Sequence, residues 1–409
     1  MSAMIGCVPT PYTMQASLEA GDVFLTPETF TADRYYDERG ATRLLPVAPS
    51  GRRAALRSYR FVDDHPLRDR LERRTFVYDL ALAMIVHTLA DREPDARAIG
   101  RTLCQLVDAS GGAPGFSLGL DAPAFYDVEY VRSGVVAWVG YALALHDLVK
   151  GENRFRAHAR RVADALLSSR FPSGSDPRAG LILAGRGRWL DGQRRFDGPW
   201  RADYCVTEHQ IDAWFLLDAL GRLGEARYQA EADALSSAML SSLWLADEGR
   251  FAVAATANGL DRALALDAAG AWGALFLLAR GEREKASASL RFTERTFATR
   301  VDDLDGFAPY AGTIHEYEGY DFSSTLFAEG TAAVGLARLR MGDRVGAERV
   351  AEVLRRLQRR GDGGVLYATP EGPDMPQVPA AAPTAWLLLL ERELAGQRAA
   401  VFAPRVSAP

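Results

Sequence analysis

Six stretches of the chain are apolar around most of a helical turn, and they recur at intervals of about 55 to 75 residues. They lie at 78–90, 134–149, 207–220, 267–279, 327–341 and 383–395. All of them are rich in Ala, Gly and Leu, and small residues let neighbouring helices approach closely. A helix that lacks a clean polar face is expected to be buried. The pattern therefore predicts six buried helices that belong to one internal repeat.

The first five of these helices are each followed, after a short polar turn, by a second helix with one charged face. FRAHARRVADALLSS and RVGAERVAEVLRRL are examples, with Ala, Leu and Val at helical spacing on the other face. Six buried helices ringed by amphipathic ones predict an all-α (α/α)6 toroid, built from six helical hairpins as an inner and an outer ring. A sixth outer helix is not evident. Segment 14–45 and the tail after 395 are the two segments available to close the ring.

We expect one barrel domain over 1–409, with 1–70 as an N-terminal extension that packs on the barrel and 396–409 as a C-terminal tail. The long connections all run from an outer helix to the next inner helix, and the turns from inner to outer helices are short. These connections are 110–133, 171–206, 244–266, 299–326 and 359–382. One end of the barrel therefore carries every long loop. The functional site is expected there, at the N-terminal ends of the inner helices.

Composition narrows the possible classes of function. The hydrophobic fraction of 48% and the charged fraction of 25% are ordinary for a globular protein. A net charge of −5 argues against a nucleic-acid partner. Cys7, Cys104 and Cys205 are too far apart to suggest a disulfide framework. No apolar stretch approaches the roughly 20 residues of a membrane span, and no export signal is recognisable. We therefore expect a cytoplasmic protein without a membrane partner, whose oligomeric state stays open.

Acidic residues fall at or just before the starts of the inner helices: Asp79, Asp127, Glu129, Asp203, Glu208, Asp267 and Glu329. A structural explanation exists for each, since an acid in the first turn complements free N–H groups and the helix dipole. Asp212, however, follows Glu208 by four residues on the same helix face and lies too deep to act as a cap. Carboxyl groups that converge at a barrel mouth acquire different pKa values, as acid/base chemistry on a sugar acetal requires. We predict Glu208, Glu329, Asp79, Asp212 and His209 as the catalytic set.

Aromatic residues form a second signal, because many of them lie in or just after the long loops, where Tyr and Trp faces can stack on sugar rings. Trp138 and Trp272 lie inside inner helices, so core packing is the alternative for both. The run HEYEGYDFSS at 315–324 alternates acids with tyrosines but matches no metal-ligand spacing. We predict no metal ion and no cofactor. The predicted substrate-binding set is Tyr78, Glu129, Tyr130, Trp138, Tyr204, Trp272, Glu316, Glu318 and Tyr320.

The inner-helix sequences resemble a known family. The runs TFVYDLALAMIVHTLA, TEHQIDAWFLLDAL, LDAAGAWGALFLLA and FAEGTAAVGLARLRMGD look like the six-hairpin glycosidase superfamily over roughly residues 75–395. More narrowly, they are similar to bacterial proteins found near polysaccharide loci. The resemblance implies an (α/α)6 barrel with a carbohydrate substrate. It also implies that Asp79, Glu208, His209, Asp212 and Glu329 line the funnel of the barrel.

Three functions remain open from the sequence. The first is a glycoside hydrolase on a small-molecule or oligosaccharide substrate, with Glu208 as general acid and Glu329 or Asp79 as the base that activates water. The second keeps the barrel but makes it an isomerase, lyase or cyclase, with His209 or His315 as base. The third is a non-catalytic sugar-binding scaffold, and it predicts that the acids at the mouth are exposed and paired with arginine.

Overall fold

The helices of the toroid follow the sequence pattern closely. The computed structural model describes residues 12–30, 34–36, 42–44, 53–62, 64–120, 125–126, 129–190, 195–314, 319–397 and 401–405. The helices within these ranges are α1 (Met14–Phe24), α2 (Arg68–Leu71), α3 (Val77–Leu89), α4 (Glu93–Ala109), α5 (Ser133–Lys150), α6 (Arg156–Leu167), α7 (Thr207–Arg222), α8 (Ala226–Ser242), α9 (Trp272–Ala279), α10 (Arg283–Thr296), α11 (Ala328–Met341), α12 (Arg344–Arg360) and α13 (Ala381–Leu394).

The inner ring consists of α3, α5, α7, α9, α11 and α13, and a π-helical turn at Asp267–Ala271 leads directly into α9. These helices are buried around most of their circumference, as their lack of a polar face requires. Their bounds lie within two residues of the predicted ones. The outer helices α4, α6, α8, α10 and α12 bury one face each. The prediction of an all-α (α/α)6 toroid is confirmed.

Helix α1 takes the sixth outer position, against α12 and α13. The Ser17 hydroxyl donates to the Gln358 side chain at 2.7 Å, and the Gln358 amide donates back to the Ser17 carbonyl at 3.0 Å. Asp22 forms an ion pair with Arg392 of α13 at 3.0 Å. At Gly21 a Cβ atom would lie 2.7 Å from Leu388, so the absence of a side chain is what lets α1 approach α13 this closely.

The C-terminal residues close the opposite end of the barrel. Phe402 is 1% exposed and stacks on Tyr141 with ring centroids 5.7 Å apart. Its backbone N–H donates to the Tyr141 hydroxyl at 2.8 Å. Arg340 donates to the carbonyls of Val401 and Phe402, and Arg405 forms an ion pair with Asp218. Residues 401–405 therefore plug the barrel from the end with the short turns.

Short strands fill the long connections. The two-stranded pairs are Glu28–Phe30 with Arg53–Ala55, Arg74–Phe76 with Ser117–Gly119, Trp244–Leu245 with Arg250–Phe251, Ala298–Val301 with Leu304–Phe307, Thr313–Ile314 with Tyr320–Asp321, Leu326–Phe327 with Ala368–Thr369, and Val365–Leu366 with Pro379–Ala380. In the three-stranded sheets, Arg34–Tyr36 lies between Thr42–Leu44 and Phe125–Tyr126, Gly185–Leu190 between Val131–Arg132 and Arg195–Arg201, and Ala254–Thr256 between Cys205–Val206 and Gly259–Asp261. Apart from the helix that starts with the π turn, every inner helix begins directly after one of these strands. The strands thereby fix where each inner helix starts, at the loop-rich end.

No helix among the described residues is long and apolar enough to cross a membrane.

Candidate active site at the loop-rich mouth

Five acidic side chains meet where the inner helices begin. Asp79 lies in the first turn of α3, Glu208 and Asp212 in the first two turns of α7, Asp267 at the start of the π turn, and Glu329 in the first turn of α11. The charge of Glu208 raises the pKa of Asp212, Asp267 and Glu329. The sequence named all five at the mouth, although Asp267 was not in the predicted catalytic set.

These acids do not act as helix caps. The residues at the N-cap positions of α3, α7, the π turn and α11 make no side-chain capping hydrogen bond. Of the hydrogen bonds between described residues, none runs from a backbone N–H to any of the five carboxyls. Asp79, Asp212 and Glu329 are 5–6% exposed, and no arginine within the described ranges forms an ion pair with any of the five. The structural explanation from helix capping therefore does not account for them.

Glu329 is held by a hydrogen-bonded chain that starts in the floor of the barrel. The Trp386 indole donates to the Tyr78 hydroxyl at 2.9 Å, and Tyr78 donates to Glu329 Oε1. Burial is the largest influence on Glu329 and raises its pKa to about 8. The hydrogen bonds oppose this rise, and the charge of Asp79 adds to it. Tyr78 occupies one carboxyl oxygen, so the proton of Glu329 belongs on Oε2.

Asp212 lies one helical turn below Glu208. Burial and the charge of Glu208 raise its pKa well above the usual range, and a hydrogen bond from Trp138 opposes this. Asp212 Oδ1 has no hydrogen-bond partner among the described residues. At Gly134 of the neighbouring α5, a Cβ atom would lie 3.0 Å from Asp212 Oδ2 and 2.5 Å from His209 Cδ2. Gly134 therefore provides the space that both side chains occupy.

Glu208 and His209 present two different groups to the mouth. Water reaches 38% of the Glu208 side chain, yet the surrounding barrel wall raises the pKa of its carboxyl to about 7. Burial, together with the charge of Arg132, lowers the pKa of His209 to about 3, so its imidazole is neutral at physiological pH. Its Nδ1 lies 3.0 Å from Ser133 Oγ, and its Nε2 lies 3.7 Å from Glu208 Oε1. That last distance is too long for a hydrogen bond.

Asp79 adds a third carboxyl of intermediate acidity. Burial raises its pKa to about 7, against a hydrogen bond to Ser58. Asp267 has a pKa well above the usual range because of burial and the charges of Glu208 and Glu329, and its Oδ1 lacks a partner in the described part of the chain. At neutral pH the mouth therefore holds several protonated carboxyls that can donate to a ligand.

A cavity of about 700 Å³ opens above Asp79 and Glu329. This volume suits a small-molecule site. Its wall combines aromatic rings with four arginines. The residues that line it include Tyr59, Arg70, Arg74, Tyr78, Asp79, Tyr130, Arg132, Arg188, Trp189, Glu329, Tyr367 and Asp374.

Some of the predicted substrate-binding residues line this cavity, and others pack beneath the acids. Tyr78 and Tyr130 line this cavity. Trp138 and Trp272 are 3% and 6% exposed and pack beneath the acids, each against Trp386. They support the site from below, which was the alternative considered for both.

The remaining predicted contacts lie elsewhere or outside the described residues. Glu129, Tyr204 and Tyr320 are partly buried but do not line the 700 Å³ cavity. The hydroxyl of Tyr320 donates to the Glu371 carbonyl at 3.4 Å. Glu316 and Glu318 lie outside the described residues, as does His315.

Sequence reasoning missed four cavity residues that come from loops. Tyr59 and Tyr367 pack edge to face with ring centroids 5.5 Å apart. Trp189 lies on the strand Gly185–Leu190 of a long connection, and Arg132, at the N-cap of α5, gave no signal in the sequence. Tyr59 precedes the first inner helix and Tyr367 precedes the last, so only the closed ring brings them together.

One group of potential metal ligands lies in the described residues, far from the mouth. Glu93, His146 and Glu152 gather at the end with the short turns. Arg97 forms ion pairs with both glutamates, and Lys150 Nζ lies 3.9 Å from Glu93. These cations already balance the acidic charge, so the group is explained as an ion-pair network.

Comparison with known proteins defines the class of fold. A D-mannose isomerase structure matches with a TM-score of 0.62 and 12% identity, over 97% of this chain and all of that one. A glycosidase in complex with glucose gives 0.59 and 14%, over 84% of this chain and 92% of that one. A family 76 glycoside hydrolase from a bovine Bacteroides thetaiotaomicron strain gives 0.56 and 10%, over 96% and 79%.

These likenesses show the (α/α)6 fold of six-hairpin glycosidases, which a sugar isomerase shares. No known family matches the sequence, and no curated protein matches it. The narrower resemblance to proteins of polysaccharide loci stays a prediction.

Proposed function

We propose that the protein is a glycoside hydrolase that uses Glu329 and Glu208 as an acid and base pair. The observation that carries this proposal is the environment of the two carboxyls. Both lie at the barrel mouth without a cationic partner among the described residues, and each raises the pKa of the other or of its neighbours. A scaffold that only binds sugar would favour exposed acids paired with arginine, whereas Glu329 is 6% exposed and neither Glu329 nor Glu208 pairs with an arginine of the described residues.

The two environments favour opposite roles. Glu329 is 6% exposed, has a pKa of about 8 and is oriented by Tyr78, so it suits the general acid. Glu208 has a pKa of about 7 and is reached by water, so it suits the base that activates a water molecule. When Glu208 ionises first, its charge helps to retain the proton on Glu329, because two nearby carboxyls resist ionising together. This assignment reverses the roles expected from the sequence.

The reaction then follows the pattern of an inverting glycosidase. Glu329 protonates the glycosidic oxygen as the bond to the anomeric carbon breaks. Glu208 removes a proton from the water that attacks this carbon from the opposite face. Asp79 and Glu329 line the 700 Å³ cavity, whose lining does not include Glu208, and Asp79 would hydrogen-bond a sugar hydroxyl there. The faces of Tyr59 and Trp189 in the same wall supply stacking surfaces.

The experiment is a hydrolysis screen with aryl glycosides and with oligosaccharides, read by NMR of the released anomer. On an active substrate, Glu329→Gln and Glu208→Gln should each lose about 10²–10⁴-fold in kcat. Glu284→Gln, an exposed change on α10, serves as the matched control.

Two measurements separate the acid from the base. An aryl glycoside with a very acidic leaving group should restore turnover in Glu329→Gln but not in Glu208→Gln, since only the acid is then dispensable. Added azide should rescue Glu208→Ala by replacing the activated water. Wild-type turnover in either Gln variant would refute the assignment.

A sugar isomerase is the second candidate, and His209 is the observation that favours it. Its neutral imidazole, next to Glu208, could remove a proton from the carbon beside a sugar carbonyl. A D-mannose isomerase is also among the structures that share the fold, over 97% of this chain. Deuterium incorporated at C2 of an aldose in D₂O, abolished by His209→Asn, would establish this reaction. Hydrolysis without such exchange would exclude it.

A further inference from the structure

Arg132 is fixed in place by its backbone neighbours. Its Nη1 donates to the carbonyls of Val131, Arg186 and Gly187, at 2.9, 3.3 and 3.1 Å. Its guanidinium lies 4.0 Å from the centre of the Tyr130 ring. A guanidinium that is anchored at one nitrogen and stacked on a ring is pre-organised, because little rotamer freedom is left for binding to restrict.

The charge of Arg132 is not compensated by a carboxylate among the described residues. All the hydrogen bonds found for it use Nη1, so Nε and Nη2 are available for a ligand in the 700 Å³ cavity that Arg132 lines. Arg132 acts electrostatically on His209, whose imidazole is neutral and therefore cannot balance the positive charge of Arg132. A half-buried arginine of this kind leaves a bidentate site without a partner.

The rest of the cavity wall reinforces the positive charge. Arg70, Arg74 and Arg188 also line the cavity. Arg70 lies 3.5 Å from Asp374, and Arg188 lies 3.0 Å from Asp197, so these two are at least partly balanced. The other cavity acids, Asp79 and Glu329, are buried carboxyls that retain protons near neutral pH. Arg132 therefore adds to the cavity a positive charge that no described carboxylate balances, although the whole chain has a net charge of −5.

We propose that the cavity binds a carbohydrate that carries an anionic group, and that Nε and Nη2 of Arg132 pair with that group. The carboxylate of a hexuronic acid presents two oxygens at the spacing of the Nε and Nη2 atoms of a guanidinium. A phosphate or sulfate ester does the same. The proposal rests on the proposed function in that the cavity takes a sugar. It adds that an acidic sugar is preferred over its neutral parent.

The test is a binding comparison with the full-length chain. The probes are glucose, mannose and galactose, each beside its uronic acid, 6-phosphate and 6-sulfate, measured by calorimetry at low and high salt. At least one acidic sugar should bind about 10- to 100-fold more tightly than its neutral parent, the range for hydrogen bonds to a charged group. High salt should reduce this preference. The uronate and ester arms identify which anion is recognised.

Variants connect the preference to the residue. Arg132→Gln should lower the affinity for the acidic sugar more than the affinity for its neutral parent, so that the preference is lost, and Arg132→Lys should retain part of the preference as a point charge. Arg300→Gln, an exposed arginine paired with exposed Asp305, is the control for a loss of one positive charge. Circular dichroism verifies that each variant is folded.

Three outcomes overturn the inference: equal binding of neutral and acidic sugars, no saturable binding of any acidic sugar, or an equal loss of both classes in Arg132→Gln. The last would make Arg132 a structural support of the loop. Binding can be tested apart from the proposed hydrolysis, because the Glu329→Gln variant should still bind acidic sugars. Arg132-dependent binding without any hydrolysis would refute the reaction and keep the inference.

Discussion

Glu329→Gln is expected to lower kcat by about 10²–10⁴-fold and, at the same time, to stabilise the folded chain relative to the wild type as the pH rises above the ordinary pKa of a glutamate. Glu329 is 6% exposed, and burial raises its pKa from 4.5 to about 8. The hydrogen bond from Tyr78 is too weak to reverse this effect. The folded state therefore keeps a proton that the unfolded chain releases, over a wide range of pH.

The size of the effect follows from these two pKa values. Below pH 4.5 the carboxyl is protonated in both states. Between pH 4.5 and pH 8 only the unfolded chain is ionised at this position. Each pH unit in that window lowers the free energy of unfolding by about 1.4 kcal/mol. From pH 5 to pH 8 the loss is about 4 kcal/mol for this group, and Gln, which does not titrate, avoids it.

Urea denaturation of the wild type, Glu329→Gln and the control Glu284→Gln, at several pH values between 5 and 8, measures this difference. The free energy of unfolding of Glu329→Gln relative to the wild type should rise by about 4 kcal/mol across the series, with no such trend in the control. A difference that does not change with pH would refute the reasoning, because Glu329 would then be ionised in the folded state.

Two further substitutions test the supports of the site. Gly134→Ala places a methyl group 2.5 Å from His209 Cδ2. We expect a loss of stability of about 1–3 kcal/mol from overpacking, and a fall in kcat/KM measured on any substrate found, with secondary structure retained. Phe402→Ala empties a fully buried position, which should cost about 3–5 kcal/mol in urea denaturation. Wild-type stability in the second variant would mean that the tail does not hold the barrel closed.

The inner helices were predictable because burial on all sides leaves an apolar pattern that needs no knowledge of the neighbours. The sixth outer helix could only be narrowed to segment 14–45 or the tail after 395, since α1 precedes the first repeat and its partners α12 and α13 lie at the other end of the chain. Its tight contact at Gly21 depends on Leu388, far away in sequence. The strands before the inner helices were also missed, because most are only two or three residues long.

The acids of the site were predictable from their places at helix starts, and the groups that define their chemistry were not. Which side of α5 carries Trp138 depends on how the helix is rotated within the ring, so its support of Asp212 follows only from the structure. Tyr59 and Tyr367 lie on connections of different repeats. Arg132 gives no pattern in the sequence, since its guanidinium is held by the carbonyl of Val131 and by two carbonyls of the neighbouring strand, those of Arg186 and Gly187.

The aromatic floor of the barrel helps to explain why the pKa values of the acids above it are raised. Phe402 lies 5.6 Å from Trp386 and 5.4 Å from Trp138, measured between ring centroids, and Trp138 hydrogen-bonds Asp212. Because this layer covers the acids from below, water reaches Glu329 from the cavity that it lines. In the proposed reaction a bound sugar displaces that water, which should raise the pKa of Glu329 further. Glu329 then gives up its proton only to an acceptor within the bound substrate, as a general acid must.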